Sequence, residues 1–143
     1  MNKKHALVSR QTAGRLMLPL WLFLLVFPMA CAKTEGEGGL ATIRGRVLVK
    51  EYNSTFTVLQ EEYYVGDEDV FIIYGDGKRV DDRERTTFDG WFEFRYLRPG
   101  NYTVYAYSKD STLQTNAKIP VIREVTINGR KDVVEVEELV IFK

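Results

Sequence analysis

The chain has 143 residues, with 20 basic and 20 acidic side chains, one cysteine and one histidine. A single thiol cannot make an internal disulfide, and a single imidazole cannot build a histidine-rich metal site. Balanced charge also argues against nucleic acid as a partner, since phosphate binding needs a basic face.

The first segment has three zones. Lys3, Lys4, Arg10 and Arg15 give a positive start, Leu16 to Ala30 is apolar, and Ala30 is a small residue just before Cys31. That order is the layout of an export signal. The apolar run is shorter than the ~20 residues a helix needs to cross a bilayer, and Pro19 and Pro28 interrupt it, so a permanent anchor helix is the weaker reading. Phe27 to Cys31 resembles a bacterial lipobox, although Pro28 stands where that motif usually has an aliphatic residue. The resemblance implies cleavage before Cys31 and acylation of its thiol. Residues 1–30 are thus expected to be the signal peptide, with the lipidated cysteine and a flexible Gly/Glu-rich tether over 31–40 and the folded domain over 41–143.

Without the signal, 16 basic and 20 acidic residues remain, and no histidine. Anionic lipid would not attract such a domain by net charge, so membrane attachment is expected to rest on the acyl chains. The usual general base and the Cys–His and Ser–His–Asp arrangements are missing, so the expected protein is not an enzyme and carries no cofactor or metal.

From Thr42 onward the text reads as strands. Thr42 to Glu51 alternates, with Gly45 marking a bulge or close packing. Phe56 to Tyr64 is ambiguous, Val70 to Tyr74 is a short apolar run, and Asp76-Gly77 signals a reversal. Val80 to Arg85 is charged and suits a loop or an edge. Trp91 to Tyr96 and Asn101 to Tyr107 both alternate, linked by Pro99-Gly100. Val121 to Ile127 and Asp132 to Phe142 flank Asn128-Gly129, a strong hairpin signal. In the last run Val134 and Val136 have one parity, Leu139 and Ile141 the other, which predicts a β-bulge at Glu137-Glu138. About seven strands and no helical periodicity predict an all-β antiparallel sandwich.

Thr87, Gly90, Phe92, Phe94, Leu97, Pro99, Gly100, Tyr102, Val104 and Ala106 together resemble the signature of carboxypeptidase-regulatory-like domains. The resemblance covers roughly residues 41–143 and implies a transthyretin-like (prealbumin-like) sandwich that serves as an accessory or binding module. Phe88 departs from it, standing where those domains are normally polar. The hydrolytic relatives use paired histidines and a C-terminal Tyr-Arg-Gly-Ser, and this chain has neither.

With Phe92 and Phe94 inward, Trp91 faces outward, and Tyr105 and Tyr107 are expected beside it on a neighbouring strand. Those three aromatics are the candidate ligand face, for a glycan or an envelope protein; the alternative is that they only brace the sheet. A second class is a structural subunit of a fimbrial or envelope assembly, joined through an open strand edge. The acids Asp67, Glu68 and Asp69 read as solvated turn residues rather than a calcium loop. Ala32 lacks the Asp that commonly retains lipoproteins at the inner membrane, so the expected location is the outer membrane, on either face.

Overall fold

The computed structural model describes residues 34–112 and 116–143; Cys31 and the segment expected to be a signal lie outside them. Nine strands follow one another: β1 (Glu37–Tyr52), β2 (Leu59–Tyr64), β3 (Asp69–Tyr74), β4 (Asp82–Arg85), β5 (Trp91–Leu97), β6 (Gly100–Ser108), β7 (Ile119–Ile127), β8 (Val133–Glu135) and β9 (Leu139–Phe142). Two sheets stack into a β-sandwich. One is built around β1 with β2, β5, β8 and β9, and the other has the order β4-β3-β6-β7.

β1 is hydrogen-bonded along both edges. The Val47 N–H donates to Gly90 and its carbonyl accepts from Val65, so β5 and then β2 share one edge. The Thr42 N–H donates to Asp132 and the Arg44 carbonyl accepts from Val136, which puts β8 and then β9 on the other. Alternation along β1 sends Ile43, Val47 and Val49 inward against Phe92, Phe94, Leu139 and Ile141. The second sheet contributes Val70, Ile72, Tyr102, Val104, Val125 and Ile127 to the same core. Gly45 marks close packing: a Cβ there would meet the Phe92 ring at 2.7 Å and the Val136 methyl at 2.5 Å.

The bulge in the last run is present. Arg44 pairs with Glu135 and Val47 with Leu139, three steps on β1 against four on the partner. The extra residue switches the parity, so Val136 packs against the core before the break and Leu139 after it. The charged 80–85 segment supplies β4, an edge strand, and the break divides the last run into β8 and β9; these raise the count from seven to nine.

Three expectations need correction. Asn128-Gly129 does not close a hairpin: β7 pairs with β6, whereas β8 and β9 run parallel to β1 in the other sheet. A two-residue type I′ turn needs positive φ at both positions, and neither residue has it. The loop is held instead by Asp132, whose Oδ2 accepts from the Gly129 N–H at 2.6 Å. Pro99-Gly100 likewise carries the chain from one sheet to the other. Residues 35–39 are not a free tether. The Gly36 N–H donates to Tyr102 Oη at 3.1 Å, the Gly36 carbonyl accepts from Arg98 at 2.9 Å, and β1 already starts at Glu37. The ambiguous 56–64 segment resolves as β2 from Leu59, with Phe56 (φ 53°) outside it and stacked on Tyr52.

Tyr102 ties these pieces together. Its ring is buried, and its hydroxyl donates to the Arg98 carbonyl at 2.6 Å while receiving the Gly36 N–H. The phenol thus locks the Arg98–Gly100 arch to the incoming strand, much as a tyrosine corner does in other sandwiches.

Phe94 lies in the centre of this core, so Phe94→Ala is expected to cost about 3–5 kcal/mol. Chemical denaturation should show it, and a midpoint equal to the parent's would contradict the assigned register. A second expectation concerns alkaline pH. Burial pushes the Tyr74 phenol up to about 12, and burial is also the leading cause of the raised values of Tyr63, Tyr102 and Tyr105. A phenol with a folded value above the ordinary 10 contributes stability that is whole below pH 10 and is lost as pH rises through about 12. The thermal midpoint should therefore fall across that window, and less steeply in Tyr74→Phe.

Candidate functional site

The three aromatics expected to form one face do not meet. Trp91 lies on β5, on the outer side of the first sheet; Tyr105 and Tyr107 lie on β6, on the outer side of the second. Because Pro99-Gly100 crosses between sheets, facing away from the core points the two strands in opposite directions.

Each group is already engaged. The Arg46 guanidinium sits 3.3 Å from the centre of the Tyr64 ring and 5.1 Å from that of Trp91. Its Nε and Nη2 also donate to the Asp89 carbonyl at 3.2 and 2.8 Å. Tyr64 donates its hydroxyl to Glu138 at 2.6 Å, and that hydrogen bond is the leading cause of its raised pKa. On the other sheet, Tyr105 is only 7% exposed, stacks on Phe71 at 5.2 Å and meets Tyr107 edge-on. Both sets brace their sheets through cation–π and aromatic pairs.

The most exposed aromatic side chain among the described residues is Phe88, 92% exposed. It stands in a turn of fixed shape. The Gly90 N–H donates to the Thr87 carbonyl at 2.8 Å, the Thr87 N–H to Trp91 at 2.7 Å, and Gly90 takes φ 77°. The preceding residue is anchored too: buried Thr86 donates its hydroxyl to the Val65 carbonyl at 2.6 Å and accepts from the Glu68 N–H. Gly66 closes against the turn, since a Cβ there would lie 3.1 Å from Phe88 Cα. The backbone is therefore pre-set while the ring is free.

Two hollows flank this turn. One, of about 800 Å³, is lined by Phe88, Asp89, Arg46, Tyr64, Val65 and Gly66 among others. The second, of about 570 Å³, runs between β4 and β5 and includes Trp91, Tyr96, Glu84, Glu93 and Arg95. Tyr96 is 66% exposed at φ 60°, a conformation that costs a bulky residue energy and that the Leu97 register shift imposes. Arg95 is held by Glu93 at 2.6 Å.

The acids singled out in the sequence are ion-paired in the fold. Asp67 and Asp69 both meet Arg85, and Glu68 meets Lys143 Nζ at 2.6 Å. Among the described residues, no group of three or more acid, histidine or cysteine side chains is placed to hold a metal. The strand-edge reading also meets an obstacle at the longest open edge. The β6–β7 register turns Pro120, Ile122, Glu124 and Thr126 outward; Pro120 lacks an N–H, and Arg123 caps the Ile122 carbonyl at 3.0 Å.

No family model matches the chain, and no curated protein does. Among solved structures, a candidate carbohydrate-binding protein of Pseudomonas aeruginosa aligns over 78% of this chain and 93% of its own, at 14% identity and a TM-score of 0.47. A likeness of that extent carries no inference about ligand or family.

Proposed function

We propose that the chain is a non-catalytic binding module, held by lipid on Cys31 at the bacterial outer membrane, that takes a saccharide at the Phe88 turn. The resemblance of Thr87, Phe92, Phe94 and Tyr102 to the carboxypeptidase-regulatory-like signature supports this reading. The observation that carries the binding role is a fully presented aromatic ring on a rigid, doubly braced turn beside an open hollow. A solvated phenyl ring stabilises nothing in its own fold, but its face suits the C–H side of a sugar ring. Asp89 stands next to it with an exposed carboxylate that can accept sugar hydroxyls, while its carbonyl is occupied by Arg46. Such a shallow site supports dissociation constants on the order of a millimolar, about −4 kcal/mol.

Catalysis has little to draw on in this reading. Apart from Cys31, the residues after the signal include no thiol and no imidazole. The phenols Tyr63, Tyr64, Tyr74, Tyr102 and Tyr105 are shifted away from neutrality rather than toward it.

Phe88→Ala is expected to weaken glycan retention at least about tenfold, ~1.4 kcal/mol, while leaving the thermal midpoint unchanged. Tyr107→Ala, on the opposite sheet, should retain binding. Affinity electrophoresis against envelope polysaccharides, with a glycan array beside it, reads both variants. A Phe88→Ala protein that binds every glycan like the parent would remove the saccharide reading. The anchor is tested separately: intact mass of membrane-fraction protein should show cleavage before Cys31 with a diacylglycerol on its sulfur, and Cys31→Ser should leave the membrane fraction. Uncleaved, membrane-bound Cys31→Ser would favour the anchor helix.

A further inference from the structure

The end of the sandwich where the chain enters combines exposed apolar and basic side chains around a clamped backbone. Gly36 is clamped there by Arg98 and Tyr102, and Glu35 packs over Gly100, where a Cβ would come 2.1 Å from Glu35 Cγ. Only three residues separate Cys31 from Glu35, a reach of at most about 14 Å even when fully extended. Around this clamp stand the 75–81 loop, the 128–132 loop, the first residues of β1 and β8 and the last of β5. They present Leu40, Val80, Tyr96 and Val133 as exposed apolar side chains. The loops add the exposed basic residues Lys78, Arg79, Arg130 and Lys131, none of them ion-paired among the described residues.

We propose that this end lies against the lipid surface that holds Cys31, with the apolar side chains at headgroup depth and the basic ones on lipid phosphates. The placement rests on the lipid-anchor reading above. Acids are present here too: Glu35, Glu37, Asp76, Asp81 and Asp132. Those of Asp81 and Asp132 are turned inward, onto the N–H groups of Tyr74 and Gly129. Net attraction to an anionic bilayer is thus small, and the short covalent link does most of the holding. Interfacial contact of a few apolar side chains then adds to it, as it does for other surface-bound segments. Lys and Arg at loop tips suit lipid phosphates at close range. The Phe88 turn sits level with Val47, six residues along β1 from Ala41 and hence roughly 20 Å farther from the lipid, open to ligand.

Acylation of Cys31 leaves the folded chain without any other thiol, so an introduced cysteine is a unique label site. Full-length protein purified from membranes, with Val80→Cys or Thr55→Cys, is labelled with bimane and reconstituted into phosphatidylethanolamine–phosphatidylglycerol vesicles carrying doxyl-lipid quencher. Thr55 lies in the loop after β1, at the far end. Quenching several-fold stronger at position 80 than at 55 is the expected result. Equal quenching, or more at 55, in protein whose intact mass carries the diacylglycerol overturns the placement and leaves the anchor standing. A mass without the lipid removes both.

Discussion

Every strand of the first sheet forms its ladder with β1 and with no other strand, so the register of that one strand fixes where the rest of the sheet lies. Two neighbours share each of its edges end to end, and each pair must break at a defined rung. On the β5/β2 edge the break falls at Val47, whose N–H is held by Gly90 and whose carbonyl is held by Val65. Only glycine fits at position 90, because φ is 77° and a Cβ would lie 2.9 Å from the Val47 carbonyl. The turn that carries Phe88 is therefore a consequence of how two strands end beside β1. On the opposite edge the same need is met by the one-residue bulge between Glu135 and Leu139.

Competition between internal and external partners decides which aromatic is free to bind. Trp91 and Tyr64 flank Arg46, and a cation–π contact of this kind contributes on the order of 0.5–1 kcal/mol when exposed. A ligand stacking on either ring must displace that guanidinium or settle for an edge. Tyr105 has even less to offer, being covered by Phe71 and Tyr107. Among the described residues Phe88 has no ring partner, and its backbone is already ordered, so a ligand stacking there would cost little conformational entropy.

Period-two alternation made the faces of the strands legible. Phe92, Phe94, Tyr102 and Val104 are inward as their spacing indicates, and the parity change between Val136 and Leu139 marks its bulge correctly. Alternation says nothing about which sheet a strand joins. Pro99-Gly100 and Asn128-Gly129 read locally as turns, and both turned out to be arches between sheets; that difference is set by which partner edge is open, a long-range property. Trp91 and Tyr105 are close along the chain, but the core separates them. Phe88 had a usable signal: an apolar ring inside Thr-Phe-Asp-Gly, where a turn wants polar residues. The docking of Gly36 had none, since Gly and Glu alone describe a flexible linker, and only the Tyr102 hydroxyl converts the segment into structure.

That hydroxyl also determines how the domain bears load where the chain enters it. The first rungs between β1 and β5 are irregular, with Leu97 facing both Glu37 and Ala41, so tension on the incoming chain acting on those rungs alone would peel them one at a time. Each such backbone bond is worth only about 1 kcal/mol net. Gly36 transfers the tension elsewhere. Its carbonyl is held by Arg98 at the end of the first sheet, and its N–H by Tyr102, whose ring is buried within the second. Pulling on the chain then loads both sheets and the Pro99-Gly100 arch between them at once. Release requires breaking both Gly36 hydrogen bonds together, about 2 kcal/mol rather than one rung at a time. A phenol reaching from the second sheet to the entering strand thus gives the start of β1 an attachment that its irregular rungs to β5 lack.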